Sequence, residues 1–355
     1  MRRRLRAGFI RTFDWEFWPP FVFYAPVACK IAWLALRHRG LTLPFYTNPG
    51  TINGFQAGES KAFSLGRLQQ KNPENVAATW LVEGDTPATR AEHVKHLMEA
   101  NRLRFPVILK PDCGNRGSGV KVIKTPKDVR TYFDSIVAPV ILQEFIPGPK
   151  EAGVFYYRFP DEDHGQLFAI TEKVFPKVVG DGSSTLEELI WNDKRAFIIA
   201  DKYCERFRDD LRTVVPEGKD WQLVNAGNHA QGCIFYDGWR LASNELTRQM
   251  DTIAKGLEHF YFGRFDIRYE RDADLMGGCN FKVLEVNGFA SEATSIYDPR
   301  NSLLKAYRTL FRQWEIVFRI GRLNRDRQHQ APSLSELWRR GRRYQKQKAT
   351  HPVAD

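Results

Sequence analysis

The chain has 355 residues and a formal net charge of +11, with 43% hydrophobic and 27% charged residues. This is a globular composition, long enough for a substantial core in two or three lobes, and it excludes a chain too small or too polar to fold. The charge sits at the ends, five arginines without an acid in residues 1–11 and ten Lys or Arg against Asp326 and Glu336 over 319–348, so the body is close to neutral.

Basic ends can meet phosphate on nucleic acid or anionic lipid, but solvated tails explain them more often, and no basic helix interleaved with exposed aromatics points to nucleic acid. Cys29, Cys113, Cys204, Cys233 and Cys279 form no CxxC and have no histidine at metal spacing. That fits a reducing, cytoplasmic compartment and argues against a disulfide frame or a zinc site. The apolar run after Met1-Arg-Arg-Arg-Leu-Arg is interrupted by Asp14 and Glu16, so it does not read as a signal peptide.

Residues 13–36 are aromatic and broken by proline: Phe13-Asp-Trp-Glu-Phe-Trp18-Pro-Pro, then Phe21 to Leu36 with Pro26 and Lys30 inside, then Arg37-His-Arg39. The run is barely as long as a bilayer needs. Three readings stay open, namely a membrane span, a segment lying at the cytoplasmic face of a membrane through residues 13–39, and a helical hairpin packed on the body. Leu41 to Gly58 reads as loops. Lys61 to Gln70 looks helical, Asn75 to Val82 is a strand, and Thr86-Pro87 starts a helix over Ala88 to Asn101. Phe105 to Lys110 is a strand, followed by a glycine-bearing turn, a strand over Val120 to Ile123, a helix over Pro126 to Ile136 and a strand over Val140 to Phe145.

Glu151 to Phe159 and Gln166 to Val174 form a strand pair, and a helix opens at Thr185, capped by Ser184 or Thr185 with Glu187 and Glu188 in its first turn. Ala196 to Leu211 continues helically, Trp221 to Trp239 returns to strands, and Asn244 to Phe260 is a long helix. Tyr261 to Tyr269 and Phe281 to Gly288 are strands, Lys305 to Arg319 is a closing helix, and a short helix lies near Leu334 to Tyr344.

Two places carry chemistry. The turn Pro111-Asp-Cys-Gly114-Asn-Arg-Gly117-Ser-Gly119 lets backbone N–H groups converge on phosphate, with Lys110 supplying a point charge; plain turn chemistry is the other reading. It is not a Walker A loop, since Gly-Lys-Ser/Thr is absent, nor a Rossmann fingerprint, since a strand follows. Period two puts Glu285 and Asn287 on one strand face, and with Asp266 they offer three oxygens on neighbouring strands. Such a set suits magnesium when phosphate oxygens and water complete the shell; an antiparallel pair with polar residues facing water is the alternative.

The order of strand, Lys110, glycine turn, strand, helix, Val140-Ile-Leu-Gln143-Glu144-Phe145-Ile146-Pro-Gly148-Pro-Lys-Glu151, and then the Arg264/Asp266 and Glu285/Asn287 strands resembles the ATP-grasp superfamily. It is similar in particular to the D-alanine–D-alanine ligase and carboxylate–amine ligase branch, from about Lys61 to Asp298. The resemblance implies an α+β fold whose two lobes clasp ATP between antiparallel sheets. It divides the chain into an atypical N-terminal module (1–60), a core (61–320) with a small nucleotide lobe near 105–150 and a large lobe over 151–320, and a basic tail (321–355).

It also implies that Lys61, Lys110, Gly117, Ser118, Gln143, Glu144, Phe145, Ile146, Glu151 and Lys173 bind ATP, with Gln143 offering an amide oxygen and Glu151 holding the ribose. Asp266, Glu285 and Asn287 would hold Mg2+ or Mn2+, with Arg264 and Lys110 acting in catalysis. Val178 to Ile190 resembles a segment of cyanophycin-synthetase-like and glutamate-ligase-like enzymes, which implies that Lys173 and Lys177 lie near the nucleotide. Asn225 to Gly232 would then be an acceptor-side loop, its His229 a base or a surface residue.

The implied activity joins a small-molecule carboxylate to an amine, in a chain that the resemblance allows to be a homodimer. A kinase-type phosphotransferase and a nucleotide-binding scaffold are the alternatives. Residues 1–60 depart from the lobe that carries substrate determinants in the ligases, so D-alanine specificity does not carry over.

Overall fold

Short runs rich in β-branched and aromatic residues pair antiparallel throughout the computed structural model, which describes residues 15–51, 59–114, 117–224, 232–333, 335–339 and 341–342. In chain order these are α1 (Pro20–Phe23), α2 (Ala25–Arg37), α3 (Lys61–Lys71), β1 (Thr79–Val82), α4 (Pro87–Ala100), β2 (Val107–Pro111), β3 (Lys121–Ile123), α5 (Pro126–Asp134), β4 (Val140–Glu144), β5 (Lys150–Tyr157) and β6 (Gln166–Val174). There follow β7 (Lys177–Val179), α6 (Leu186–Asn192), α7 (Ala200–Arg206), β8 (Asp220–Gln222), β9 (Ile234–Asp237), α8 (Asn244–Ala254), β10 (Phe262–Tyr269), α9 (Asp272–Met276), β11 (Phe281–Asn287) and α10 (Leu303–Asp326).

A four-stranded sheet runs β1-β4-β2-β3, a five-stranded sheet runs β11-β10-β5-β6-β9, and β7 pairs β8 in a ribbon. The smaller sheet packs Val107, Leu109, Val140 and Leu142 against Val94 and Met98 of α4 and Val129, Tyr132 and Phe133 of α5. In the larger sheet, period two sends Ala152, Val154, Tyr156, Phe265, Ile267 and Val283 into a core shared with Leu65 and Leu68 of α3 and Leu246, Met250 and Ile253 of α8. The alternate residues, Glu151, Gly153, Asp266 and Arg268 among them, face the smaller sheet. Helix starts follow capping chemistry: Thr86, Thr125 and Thr185 each form a capping box, and Ser60, Ser243 and Ser302 each accept the N3 amide.

The α+β content agrees with the expectation from sequence, while several boundaries move. The smaller sheet takes in β1 and α4, upstream of residue 105, because β1 pairs with β4 along its whole length. The strand expected from Asn75 shrinks to Thr79–Val82, with Val76 bridging Val283. The helix expected over 196–211 is a 3₁₀ turn (Ala196–Ile199) followed by α7, which ends at Arg206. Helix α8 stops at Ala254 rather than Phe260, since the chain turns at Gly256 to bury Leu257 and Phe260. Of the strands expected over 221–239, β8 and β9 form, and 225–231 lie outside the described residues.

The closing helix is longer than expected, 24 residues. Its Gly321 meets Leu43 so closely that an added Cβ would lie 2.1 Å from the Leu43 carbonyl oxygen. This contact seats the N-terminal segment on the body. Phe23 and Val27 pack with Ala306 and Leu310, Leu34 packs with Leu43 and Phe318, and Lys30 pairs with Glu315 at 2.5 Å. The described part of residues 13–36 is α1 running into α2 across Tyr24 and packed on the body, rather than a hairpin, and no helix among the described residues is long and apolar enough to cross a membrane. Buried Asn48 ties the next loop in: its Oδ1 accepts from the Tyr261 and Phe262 amides at 2.8 and 3.0 Å, and its Nδ2 donates to the Phe262 carbonyl at 2.8 Å. All five cysteines are free.

Candidate active site

Register places Glu151 on β5 between Lys173 on β6 and Arg268 on β10. The side chains join accordingly, Lys173 Nζ lying 2.8 Å from Glu151 Oε1 and Arg268 Nη2 2.9 Å from Oε2. Two positions along, Asp266 accepts from Arg264 Nε at 2.9 Å and Nη2 at 3.2 Å, and has Lys173 Nζ at 3.2 Å. Gly153, opposite Asp266 on β5, makes room for this: an added Cβ would meet Arg264 Cδ at 2.9 Å.

Burial pulls the Glu151 carboxyl upward, but Lys173 and Arg268 outweigh it and hold the group below the carboxylate range. Burial acts likewise on Asp266, where Arg264 and Lys173 win and hold it at about 2. Against its own burial, Lys173 is kept above the usual lysine value by Asp266 and Glu151.

The register between β10 and β11 slips after Asp266↔Glu285 to Ile267↔Val283, leaving Leu284 as the extra residue of a β-bulge. Its carbonyl is thereby turned toward the smaller sheet, where it accepts from Lys110 Nζ and Gln143 Nε2, both at 3.1 Å. Lys110 Nζ also donates to Gln143 Oε1 at 2.9 Å, and Gln143 Nε2 donates to Thr79 Oγ1 at 3.0 Å. One backbone oxygen therefore links the two sheets. Burial of the Lys110 ammonium, helped by nearby Lys61, lowers its pKa to about 8, although Glu285, Glu151 and Asp266 pull the other way.

Lys61 opens α3, donates to the Gly114 carbonyl at 2.7 Å and lies 3.3 Å from Glu285 Oε1. Asp112 Oδ1 accepts the Ala62 amide at 2.8 Å, so the start of α3 fixes the chain just after β2. Gly117 and Gly119 take φ of 70° and 72°, a region that favours glycine, and Tyr132 donates to the Gly119 carbonyl at 2.8 Å. Asn115 and Arg116 of that turn lie outside the described residues.

These parts face one cleft of about 1630 Å³. Its walls include Lys61, Lys110, Gly117, Ser118, Gln143, Glu144, Phe145 and Ile146 on one side and Glu151, Lys173, Arg264, Asp266, Glu285 and Asn287 on the other. Three expectations change. Lys177 pairs with Asp220 at 2.5 Å on the β7–β8 ribbon and is not a wall residue. The Gln143 amide oxygen is taken by Lys110 rather than presented to a ligand. The Glu151 carboxylate is engaged on both oxygens by Lys173 and Arg268. His229 lies outside the described residues.

Sequence reasoning missed Arg268, although it continues the period-two series after Arg264 and Asp266. It also missed Glu292, Trp15, Trp18, Tyr24 and Tyr297 as wall residues of the same cleft.

Among the described residues no group of three or more His, Cys, Asp or Glu side chains is placed to hold a metal ion. A cation at Asp266 and Glu285 would therefore draw on the Asn287 amide, with phosphate oxygens and water completing its shell. The donor chemistry fits a hard divalent ion. Glu285 is the more accessible carboxylate, whereas Asp266 is already engaged by Arg264, Lys173 and, at 3.3 Å, Asn287 Nδ2.

No family model matches the chain. It is 26% identical over 175 residues to a cyanophycin synthetase from Geminocystis herdmanii, a match covering 46% of this chain and 19% of that protein. Solved structures it is similar to include a bifunctional glutathione synthetase from Pasteurella multocida (16% identity, TM-score 0.37, covering 74% of this chain and 38% of that one). Another is a D-alanine–D-alanine ligase from Bacillus anthracis (12% identity, TM-score 0.42, covering 76% and 69%). The chain thus spans about a fifth of the length of the curated relative it matches. The order of the chain's motifs resembles that of ATP-grasp ligases.

Proposed function

We propose that the chain is an ATP-dependent ligase that joins a carboxylate to an amine through an acyl phosphate, releasing ADP and phosphate. The observation that carries this reading is the cleft, in which the residues assigned from sequence to nucleotide, metal or catalysis, apart from Lys177 and His229, line one space, bridged by the Lys110 and Gln143 bonds to Leu284.

The chemistry runs in two displacements. A carboxylate oxygen of the substrate attacks the γ-phosphorus of ATP, the bond to the β–γ bridging oxygen breaks, and ADP leaves. The amine nitrogen then attacks the acyl carbon, the bond to phosphate oxygen breaks, and the nitrogen gives up a proton. Lys61 and Lys110 bring positive charge to the phosphates, Gly117 and Ser118 bring backbone amides, and the strand end at Glu144 to Ile146 offers its edge to the base. Positioning and fixed charge supply most of the acceleration. A divalent cation held by Glu285, Asn287 and Asp266 would neutralise phosphate charge. Arg264, which spans Asp266 and the Glu292 carbonyl at 3.0 Å, faces the oxyanion of the second displacement. Water has to be kept from the acyl phosphate, or it hydrolyses.

The test is ADP release from the purified chain with a panel of amino and hydroxy acids, with and without amines. Release that needs both an acid and an amine supports the ligase. Stoichiometric phosphorylation of a hydroxyl substrate indicates a phosphotransferase, and ATP binding without any ADP release indicates a scaffold.

A further inference from the structure

Helix α2 is apolar on both of its sides. Val27 and Leu34 turn to the body, where Val27 packs with Ala306 and Leu310, and Leu34 with Leu43 and Phe318. On the opposite side Ala25, Ala28, Cys29, Ala32, Trp33 and Leu36 are exposed, and none of them is charged. A helix on the surface of a globular protein turns polar residues to water, and one that is apolar all round is ordinarily covered all round. Here one side is left in the open. Phe21 and Val22 of α1 stand four and three residues before Ala25, so they continue the same side. Phe21 and Leu36, at its two ends, are each 80% exposed.

The charge beside this face is almost all of one sign. Arg37 lies 5.0 Å over the Trp33 ring, and Lys30 4.5 Å over it, the latter held by Glu315 at 2.5 Å. Arg325 Nη1 donates to the Arg39 carbonyl at 3.1 Å, which brings the end of α10 to the end of α2. Burial, and after it Arg322, Arg37 and Arg325, lower the pKa of the His38 imidazole that sits among them. Arg37, Arg39, Arg322 and Arg325 thus gather at the C-terminal end of the apolar side, and the acid beside them is Asp326, 3.7 Å from Arg325 Nε. Residues 1–11, which precede α1, add five arginines and no acid. An apolar strip that includes a tryptophan and ends in arginines complements the boundary of an anionic bilayer, where apolar side chains enter the acyl edge, tryptophan stays at headgroup level and arginines meet phosphate.

We infer that α1 and the outer side of α2 dock on a bilayer of anionic phospholipid, with Phe21, Val22, Trp33 and Leu36 in the interface and Arg37, Arg39, Arg322 and Arg325 on the headgroup phosphates. The helix lies along the surface, since its 13 residues are too few to cross. A second copy seated on the same face would meet it with the same arginines and no matching acids. Pro20 and Phe23 of this segment also wall the cleft, so docking sets one cleft wall at the lipid surface. The inference stands apart from the ligase reading.

The test is co-sedimentation of the full chain with vesicles of phosphatidylcholine and phosphatidylserine in equal parts, and with vesicles of phosphatidylcholine alone. The mixed vesicles should bind the chain, and the neutral ones should bind it at least about tenfold more weakly. Phe21→Ser combined with Leu36→Ser should weaken binding to the mixed vesicles about tenfold or more, and it leaves the core intact because both side chains point out. Arg37→Gln combined with Arg322→Gln should weaken it about as much and should flatten the loss of binding as salt rises. An unchanged thermal unfolding midpoint shows that each variant is folded. Wild type that stays in the supernatant with the mixed vesicles overturns the inference. So does undiminished binding of the Phe21→Ser, Leu36→Ser variant, which would leave the basic chain ends holding the lipid by themselves. A dimer in sedimentation velocity that the same two substitutions dissolve would give the face to a second copy instead.

Discussion

Along β5, β6 and β10, Lys173, Glu151, Arg268, Arg264 and Asp266 interlock with each charge held by an opposite one; at the other end of the cleft, rings stack and one carboxylate is steadied by phenols. The charged end is rigid because neutralising any member leaves a buried partner uncompensated. The aromatic end depends on shape and area. Isosteric changes should therefore hurt the first end most, and truncations the second.

The largest effect should follow Glu151→Gln, which strands Arg268 and leaves Lys173 with Asp266 alone. Breaking one partner out of a buried pair costs about 3–5 kcal/mol, read as a drop in unfolding free energy in urea. The same variant tests the pH dependence. Carboxylates whose folded pKa is depressed contribute stability above their unfolded value, near 4, that is lost as pH falls toward the folded value. For Asp266 that value is about 2, so the wild type should lose stability as pH drops from about 5 toward 2. Glu151→Gln should flatten that slope.

Phe23→Ala should come next, costing about 3 kcal/mol or more in thermal or urea unfolding. If the two ends are independent, ATP binding should stay within twofold. Glu285→Gln should lower ADP release about 100-fold, as loss of a group aimed at transferring charge does. Its unfolding free energy should change by less than about 1 kcal/mol, because its Lys61 pair is only part-buried; a large stability loss would mean that Glu285 holds the fold instead.

The smallest effect concerns Lys110. Its folded pKa of about 8 lies below the unfolded 10.5, so the folded protein favours the neutral amine; the charged form costs stability below about 8, and that cost fades as pH rises toward 10.5. The phosphate-facing charge moves the other way, and kcat/KM for ATP should fall several-fold as pH rises through about 8. Lys110→Arg should abolish that limb, since a guanidinium keeps its proton.

Much of the charged end was legible. Period two on two strands brings Asp266, Glu285 and Asn287 together, and Thr86 and Thr185 mark helix starts because capping is local chemistry. The bulge at Leu284 was hidden, since one extra residue leaves no mark on hydrophobic alternation yet decides where the carbonyl points. Overextended helices at 196–211 and 244–260 share a cause: apolar periodicity runs on through a turn whose residues bury just as well outside a helix. The aromatic end was illegible because it is long-range, Trp15 meeting Tyr297 and Tyr24 meeting Glu292 across most of the chain.

That separation also orders events during synthesis. Phe23, Val27 and Leu34 find their partners on α10, the last long element to emerge, whereas β1 through β11 are complete before it. Domains fold largely as they leave the ribosome. A nascent chain stalled before Leu303 therefore has both sheets and the row around Glu151, but Phe23, Val27 and Leu34 have no α10 to rest on. The growing polypeptide completes the row around Glu151 before the seat of α1 and α2.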